Sequence, residues 1–270
     1  MELPVWRNNI RISSVILFIF ILSCTGEADN LFSLAKEFWK RGEYTEAANT
    51  FQRFISCYPE NHRLSEAYYN LGDIYYFYLE DNRAAIRYYR QVFKCDKNDE
   101  YIYDAQWKIA RIYLEELKDY NQAIVEYKRF IEINHNELRD IEAQINIAES
   151  YTTLKYFSQA ITEYEIILND YPKNDYIDQI FYRLGNLYFL EERFNEAIKY
   201  YRKAIKKTAI KDIKLKSKYS LAESYHKMGE LKTALSLYKQ LYSTSDRYKS
   251  ILKKKIEDIE KNFYVKNRKK

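Results

Sequence analysis

Residues 184–205 read LGNLYFLEERFNEAIKYYRKAI. A leucine precedes a small residue, Gly185, and an aromatic, Tyr188, follows three residues later. Twelve residues beyond the glycine stands Ala197, and four further on comes Tyr201. Spacings of three and four place such side chains on one face of a helix. Two antiparallel helices of about fourteen residues approach closely only where a small residue on each marks the crossing. Gly185 and Ala197 are that contact in this reading, and the two tyrosines fill the space around it.

The same figure returns along the chain. LAKEF (34–38), LGDIY (71–75), IARIY (109–113), IAESY (147–151), LGNLY (184–188) and LAESY (221–225) align, their small residues 37 or 38 apart. Ala47, Ala85, Ala123, Ala160, Ala197 and Ala234 follow in the second halves, each trailed at four residues by Phe51, Tyr89, Tyr127, Tyr164, Tyr201 or Tyr238. The linking turns are short, as in Arg41-Gly42-Glu43 and Met228-Gly229-Glu230; the second and third copies carry one extra residue there. Tyr58-Pro59 and Tyr171-Pro172 stop the second helices. Three prolines and five glycines punctuate the chain too sparsely for a multi-stranded β protein. A lone hairpin cannot bury its own apolar face, so neighbours must stack. The expectation is an all-α chain: a right-handed α-solenoid of six helix-turn-helix repeats over 28–245. A capping helix follows over 246–263, with Ile251, Leu252, Ile256 and Ile259 as its apolar stripe, and then a basic tail over 264–270.

The first residues read differently. Arg7 and Arg11 precede an apolar run over 12–22. Eleven residues of helix span about 16 Å, short of the hydrocarbon core, so 1–23 reads as a signal peptide. The run ends in Ile21-Leu22-Ser23-Cys24, the order a bacterial lipoprotein leader requires. Cleavage after Ser23 would leave Cys24 as an acylated N-terminus, followed by a short linker over 24–27. With Thr25 after the cysteine in place of aspartate, the expected location is the periplasmic face of the outer membrane. Net charge is +5, with ten basic residues against three acids between Arg247 and Lys270. Lysines and arginines also crowd 199–218, and a membrane headgroup or an acidic protein patch would suit them. Export argues against nucleic acid.

No catalytic residue, metal ligand set or cofactor motif emerges. The three histidines are scattered, and no HExxH, GxSxG, CxxC or glycine-rich phosphate loop occurs. Cys57 and Cys95 hold equivalent positions in adjacent repeats, about 8–10 Å apart, too far for a bridge, and are expected as free, half-buried thiols. A small-molecule substrate is not expected either.

The recurring pattern is similar to the tetratricopeptide repeat from about Ala28 to Thr244, with a longer period than the usual 34. That resemblance implies ligands lying along the first helix of each repeat. Three residues before the small residue, one after and four after would face them. The site residues expected on this basis are Phe32, Lys36, Trp39, Tyr69, Asp73, Tyr76, Trp107, Arg111, Tyr182, Asn186, Phe189 and Tyr219. They suit an extended peptide or a partner helix with apolar anchors; the other reading is that the rings pack between repeats. The clamp lysine of chaperone-tail-binding members is replaced by aromatics. Residues 44–76, YTEAANTFQRFISCYPENHRLSEAYYNLGDIYY, resemble outer-membrane assembly lipoproteins of the BamD type. The resemblance implies a lipid-anchored scaffold for inserting β-barrel proteins, with Phe32, Trp39, Tyr69 and Tyr76 at the substrate segment. Six repeats, where those proteins have five, leave a second possibility: an adaptor for Tol–Pal, pilus or secretion machinery.

Overall fold

The computed structural model describes residues 26–95, 101–133 and 136–267, with side chains to residue 261. The signal peptide, the lipidation at Cys24 and the last three residues lie outside them. Every regular element among the described residues is helical: α1 (26–40), α2 (Tyr44–Cys57), α3 (Leu64–Phe77), α4 (Asn82–Val92), α5 (Tyr101–Arg111), α6 (Tyr120–Ile133), α7 (Glu137–Thr153), α8 (Phe157–Asp170), α9 (Ile177–Leu190), α10 (Phe194–Lys207), α11 (Lys211–Lys227), α12 (Leu231–Thr244) and α13 (Lys249–Asn267). The fold is all-α, of the α-solenoid class. It divides into two compact units, Met1–Asn134 and His135–Lys270. Each holds three hairpins packed in chain order, and α13 closes the second.

The crossing residues sit where the spacing puts them. Ala35, Ala110, Ala148 and Ala222 on the first helices are fully buried, as are the six alanines of the second helices. At Gly72 and Gly185 the approach is closer. A Cβ on Gly72 would lie 2.3 Å from the Tyr89 ring, and one on Gly185 would lie 2.6 Å from that of Tyr201. Tyr89, Tyr127, Tyr164, Tyr201 and Tyr238 are among the largest fully buried side chains. Each such ring removes apolar surface worth roughly 1.5–3 kcal/mol from water, and this burial holds the hairpins together.

The turns share one construction. A residue in left-handed backbone precedes each second helix: Gly42 and Gly229 (φ 80° and 81°), and Glu80, Lys118, Lys155 and Glu192 (φ 53°, 52°, 62° and 59°). The next amide closes the turn on the carbonyl of the aromatic three after the small residue. Glu43 bonds Phe38, Tyr156 bonds Tyr151, Arg193 bonds Tyr188 and Glu230 bonds Tyr225. In the second and third hairpins the extra residue widens the same closure, Asp81 to Tyr75 and Asp119 to Tyr113. In the third it also winds Ile112–Glu116 into a π-helical turn, with the Leu117 amide 3.0 Å from the Ile112 carbonyl. Both wider turns add a side-chain cap, Asp81 accepting from Ala84 N and Asp119 from Gln122 N. After the Tyr-Pro stops, Asn61 and Asn174 accept from the amides of Arg63 and Tyr176, folding the chain back into the next helix.

One boundary and two exposures, those of Ile251 and Cys57, differ from expectation. Helix α13 continues to Asn267, into the stretch read as tail, because no proline or glycine interrupts it. Leu252 and Ile259 are its buried residues and Ile256 packs against them, but Ile251 is exposed. Cys57 and Cys95 form no disulfide; Cys57 is exposed and Cys95 half-buried.

Candidate partner-binding face

The residue immediately after each small residue was expected to meet a partner, and in most hairpins it is used internally. The Tyr89 hydroxyl donates to Asp73 (2.6 Å), that of Tyr201 to Asn186 (2.8 Å) and that of Tyr238 to Glu223. In the first hairpin Lys36 offers no acceptor, and the facing ring is Phe51, which has no hydroxyl to satisfy. The same positions reach the next first helix in their unit. Lys36 pairs with Glu66 (2.9 Å), Asp73 with Lys108, Glu149 with Arg183, and Glu223 with Lys255 of α13 (2.8 Å). Arg111 turns instead along its own helix to Glu115 (2.7 Å). Burial, and next the Asp73 carboxylate, raise the Tyr89 phenol far above its ordinary range; burial and Glu223 do the same for Tyr238.

The rings three residues before the small residue pack on neighbouring aromatics, Phe32 fully buried and Tyr69, Trp107, Tyr182 and Tyr219 half-buried. Phe32, read as groove-facing, has no exposed surface: it lies edge-on to Phe51 and Phe54, each 5.2 Å away, under the Arg63 guanidinium. A ring at that position meets the second helix of its own hairpin before it can reach solvent. Tyr69 lies between Tyr89 and Tyr101 beneath the Lys108 ammonium, 4.3 Å from the ring centre. Trp107 packs on Tyr127 and Phe130, and Tyr182 on Tyr201. Tyr219 stacks on Tyr248, its phenol pushed up to about 12 by burial and then by Glu223.

Solvent reaches the set four residues after. Trp39, Tyr76 and Phe189 are half-buried. In the first unit they border an aromatic edge that spacing alone had not singled out. Phe77 is 55% exposed and Tyr78 43%; Tyr44 stacks on Tyr78 at 3.9 Å and Trp39 meets it edge-on. Four successive aromatics, Tyr75 to Tyr78, were the available signal, since consecutive residues circle a helix and some must face outward. In the second unit, clefts of about 200 and 310 Å³ flank Arg183 between α7 and α9. Burial lowers the Arg183 pKa, and its guanidinium also donates to the Tyr164 hydroxyl (3.3 Å).

A second row of contacts staples hairpins together on the other side. Within each unit the residue five after the second-helix alanine reaches the following hairpin: Gln52 to Tyr75 and Tyr88, Arg90 to Tyr113 and Glu126, Glu165 to Tyr188 and Tyr200, Arg202 to Tyr225. Glu126, 2% exposed, is held by Arg90, Gln106 and Arg129. Among the described residues no cluster of three or more His, Cys, Asp or Glu could hold a metal ion.

Family models described as tetratricopeptide repeat match residues 32–76, 65–99, 104–134, 179–207 and 219–250, together more than half the chain. The fourth hairpin lies between these matches yet keeps the buried Ala148, Ala160 and Tyr164. A solved structure of the MamA protein is similar at TM-score 0.54 and 21% identity, over 70% of this chain and 96% of that one. A tetratricopeptide repeat protein from Parabacteroides merdae is similar at TM-score 0.51 and 17% identity, over 89% and 88%. Identities this low show a likeness of fold alone. No curated protein matches the chain.

Proposed function

Because the chain belongs to the tetratricopeptide-repeat family, we propose that it is a scaffold holding a segment of another protein against the first helices of its N-terminal unit. The observation that carries this reading is the aromatic edge of Trp39, Tyr44, Tyr76, Phe77 and Tyr78, with Phe77 more than half exposed on an otherwise well-packed face. Exposed aromatics gathered in one place are the usual anchors of a protein–protein contact. The neighbouring charges, Lys36 with Glu66 and Asp73 with Lys108, already neutralise one another. An apolar or aromatic segment therefore fits better than a strongly charged one.

The finer reading follows the leader and the resemblance of residues 44–76: a chain acylated at Cys24, held at the periplasmic face of the outer membrane and assisting β-barrel assembly. No catalytic role is proposed. Labelled fatty acid should enter the wild type and not Cys24→Ser. Co-purification with a β-barrel assembly protein should weaken by an order of magnitude or more in Phe77→Ala/Tyr78→Ala, the scale of losing anchor residues. Clean absence from such complexes would end the assembly reading. In that case the alternative is an adaptor for Tol–Pal, pilus or secretion machinery, which enrichment with those components would support.

A further inference from the structure

The turn between α10 and α11 projects an apolar tip from a basic rim. Ile210 is 47% exposed there. Lys206 and Lys207, in the last turn of α10, and Lys211 and Lys214, in the first turn of α11, surround it in sequence and are all exposed. The backbone of this turn is fixed by the buried Thr208, whose hydroxyl accepts from the Ile210 amide at 3.0 Å. Among the described residues none of the four lysines is in an ion pair. The nearby carboxylates are engaged elsewhere: Asp212 with Lys216 (2.7 Å) and Arg247, Asp246 with Lys249 (2.5 Å). Beside the tip opens a cleft of about 430 Å³, lined by four cationic side chains, Lys211, Lys214, Lys218 and Arg247, and by one carboxylate, Asp246, which pairs with Lys249.

We propose that this corner of the second unit rests on an anionic phospholipid bilayer, with Ile210 entering the headgroup layer, the four lysines at its surface and the cleft admitting a lipid phosphate. Uncompensated lysines are drawn to an anionic leaflet, and their long stems let the ammonium groups stay wet while an apolar residue beside them is buried. The apolar tip is what favours a bilayer over an acidic polypeptide. An acidic chain would neutralise the lysines but give a projecting isoleucine nothing to enter. No helix among the described residues is long and apolar enough to cross a membrane, so the contact is peripheral. It is independent of the acyl group at Cys24 and of the aromatic edge in the first unit.

The test is flotation of the full chain carrying Cys24→Ser with two kinds of vesicle, pure phosphatidylcholine and a mixture containing about one third phosphatidylglycerol. The apolar run over 12–22 raises binding to both and cancels in their ratio. The wild-type ratio should exceed one and fall with added salt. Replacing Lys206, Lys207, Lys211 and Lys214 by Gln should lower the ratio by up to about a thousandfold, the full effect of four lost surface charges. Ile210→Ser should lower anionic binding several-fold with the charges intact. Circular dichroism identical to wild type would show that the variants fold. An unchanged ratio in the quadruple variant would overturn the proposal. So would binding to soluble polyglutamate by a chain that ignores both vesicles, which would assign the corner to an acidic polypeptide.

Discussion

Glu80, Lys118, Lys155 and Glu192 hold left-handed backbone, where Cβ crowds the following carbonyl, while Gly42 and Gly229 do the same work in the first and sixth hairpins without that cost. Each of the four changed to Gly should gain about 0.5 kcal/mol after allowing for the greater freedom of glycine in the unfolded chain. Combined, they should raise Tm by several degrees in a thermal melt. Gly72 answers the opposite way. Alanine is the better helix former, but its methyl would lie 2.3 Å from the Tyr89 ring, with Asp73 holding that ring by its hydroxyl. Gly72→Ala should therefore destabilise by about 1–3 kcal/mol, measurable by urea unfolding, despite its helix propensity. The small residues and their aromatics were legible because each hairpin repeats one steric demand. The left-handed positions were not, since Glu and Lys carry no mark of that conformation. Phe32 was misplaced for a related reason: spacing locates a helical face, but not which neighbour covers it.

At the scale of elements, the chain tolerates one extra residue by widening a turn without shifting the helices. The third hairpin absorbs it as a π-helical turn while the Asp119 amide still closes on the equivalent aromatic, Tyr113. The insertion was visible in the sequence; the bond that absorbs it was not. Helix α13 is the other instructive element. Tyr248, immediately before it, stacks on Tyr219 as Tyr101 packs on Tyr69, and its Lys255 meets Glu223 as Lys108 meets Asp73. It thus supplies the contacts of a further first helix. Removing 249–270 should expose Tyr238 and Leu241 and cost on the order of 4 kcal/mol from the lost burial of Leu252 and Ile259 with their neighbours. The readout is a lowered Tm with increased binding of a hydrophobic dye. Lys255→Ala alone should cost about 1 kcal/mol.

For the whole molecule, the row of buried tyrosines ties stability to alkaline pH. Burial raises the phenols of Tyr89, Tyr164, Tyr201 and Tyr238 above the ordinary value of 10.0. Above that pH the unfolded chain gives up these protons while the folded one keeps them. The stabilisation is therefore complete below pH 10 and lost as pH rises toward the folded-state values. Absorbance near the phenolate band should show exposed tyrosines ionising first. The buried ones should follow in a single step coincident with loss of helical circular dichroism. The fold at this scale was readable from periodicity, whereas the proposed interaction surfaces were readable only in part: Trp39, Tyr76 and the basic run were named, Phe77, Tyr78 and Ile210 were not. Exposure depends on what the neighbouring hairpin covers, which no single repeat encodes. The staples between hairpins have a consequence for ancestry and engineering. Each junction has its own chemistry: an amide over two phenols, a guanidinium over a phenol and a carboxylate, a carboxylate under two phenols. Set the third segment directly after the fourth, and Glu165 would confront Glu126, which in the native order is matched by Arg90. The modules look alike from their backbones, yet each carries an address, and shuffling them would scramble a serial order written in side chains.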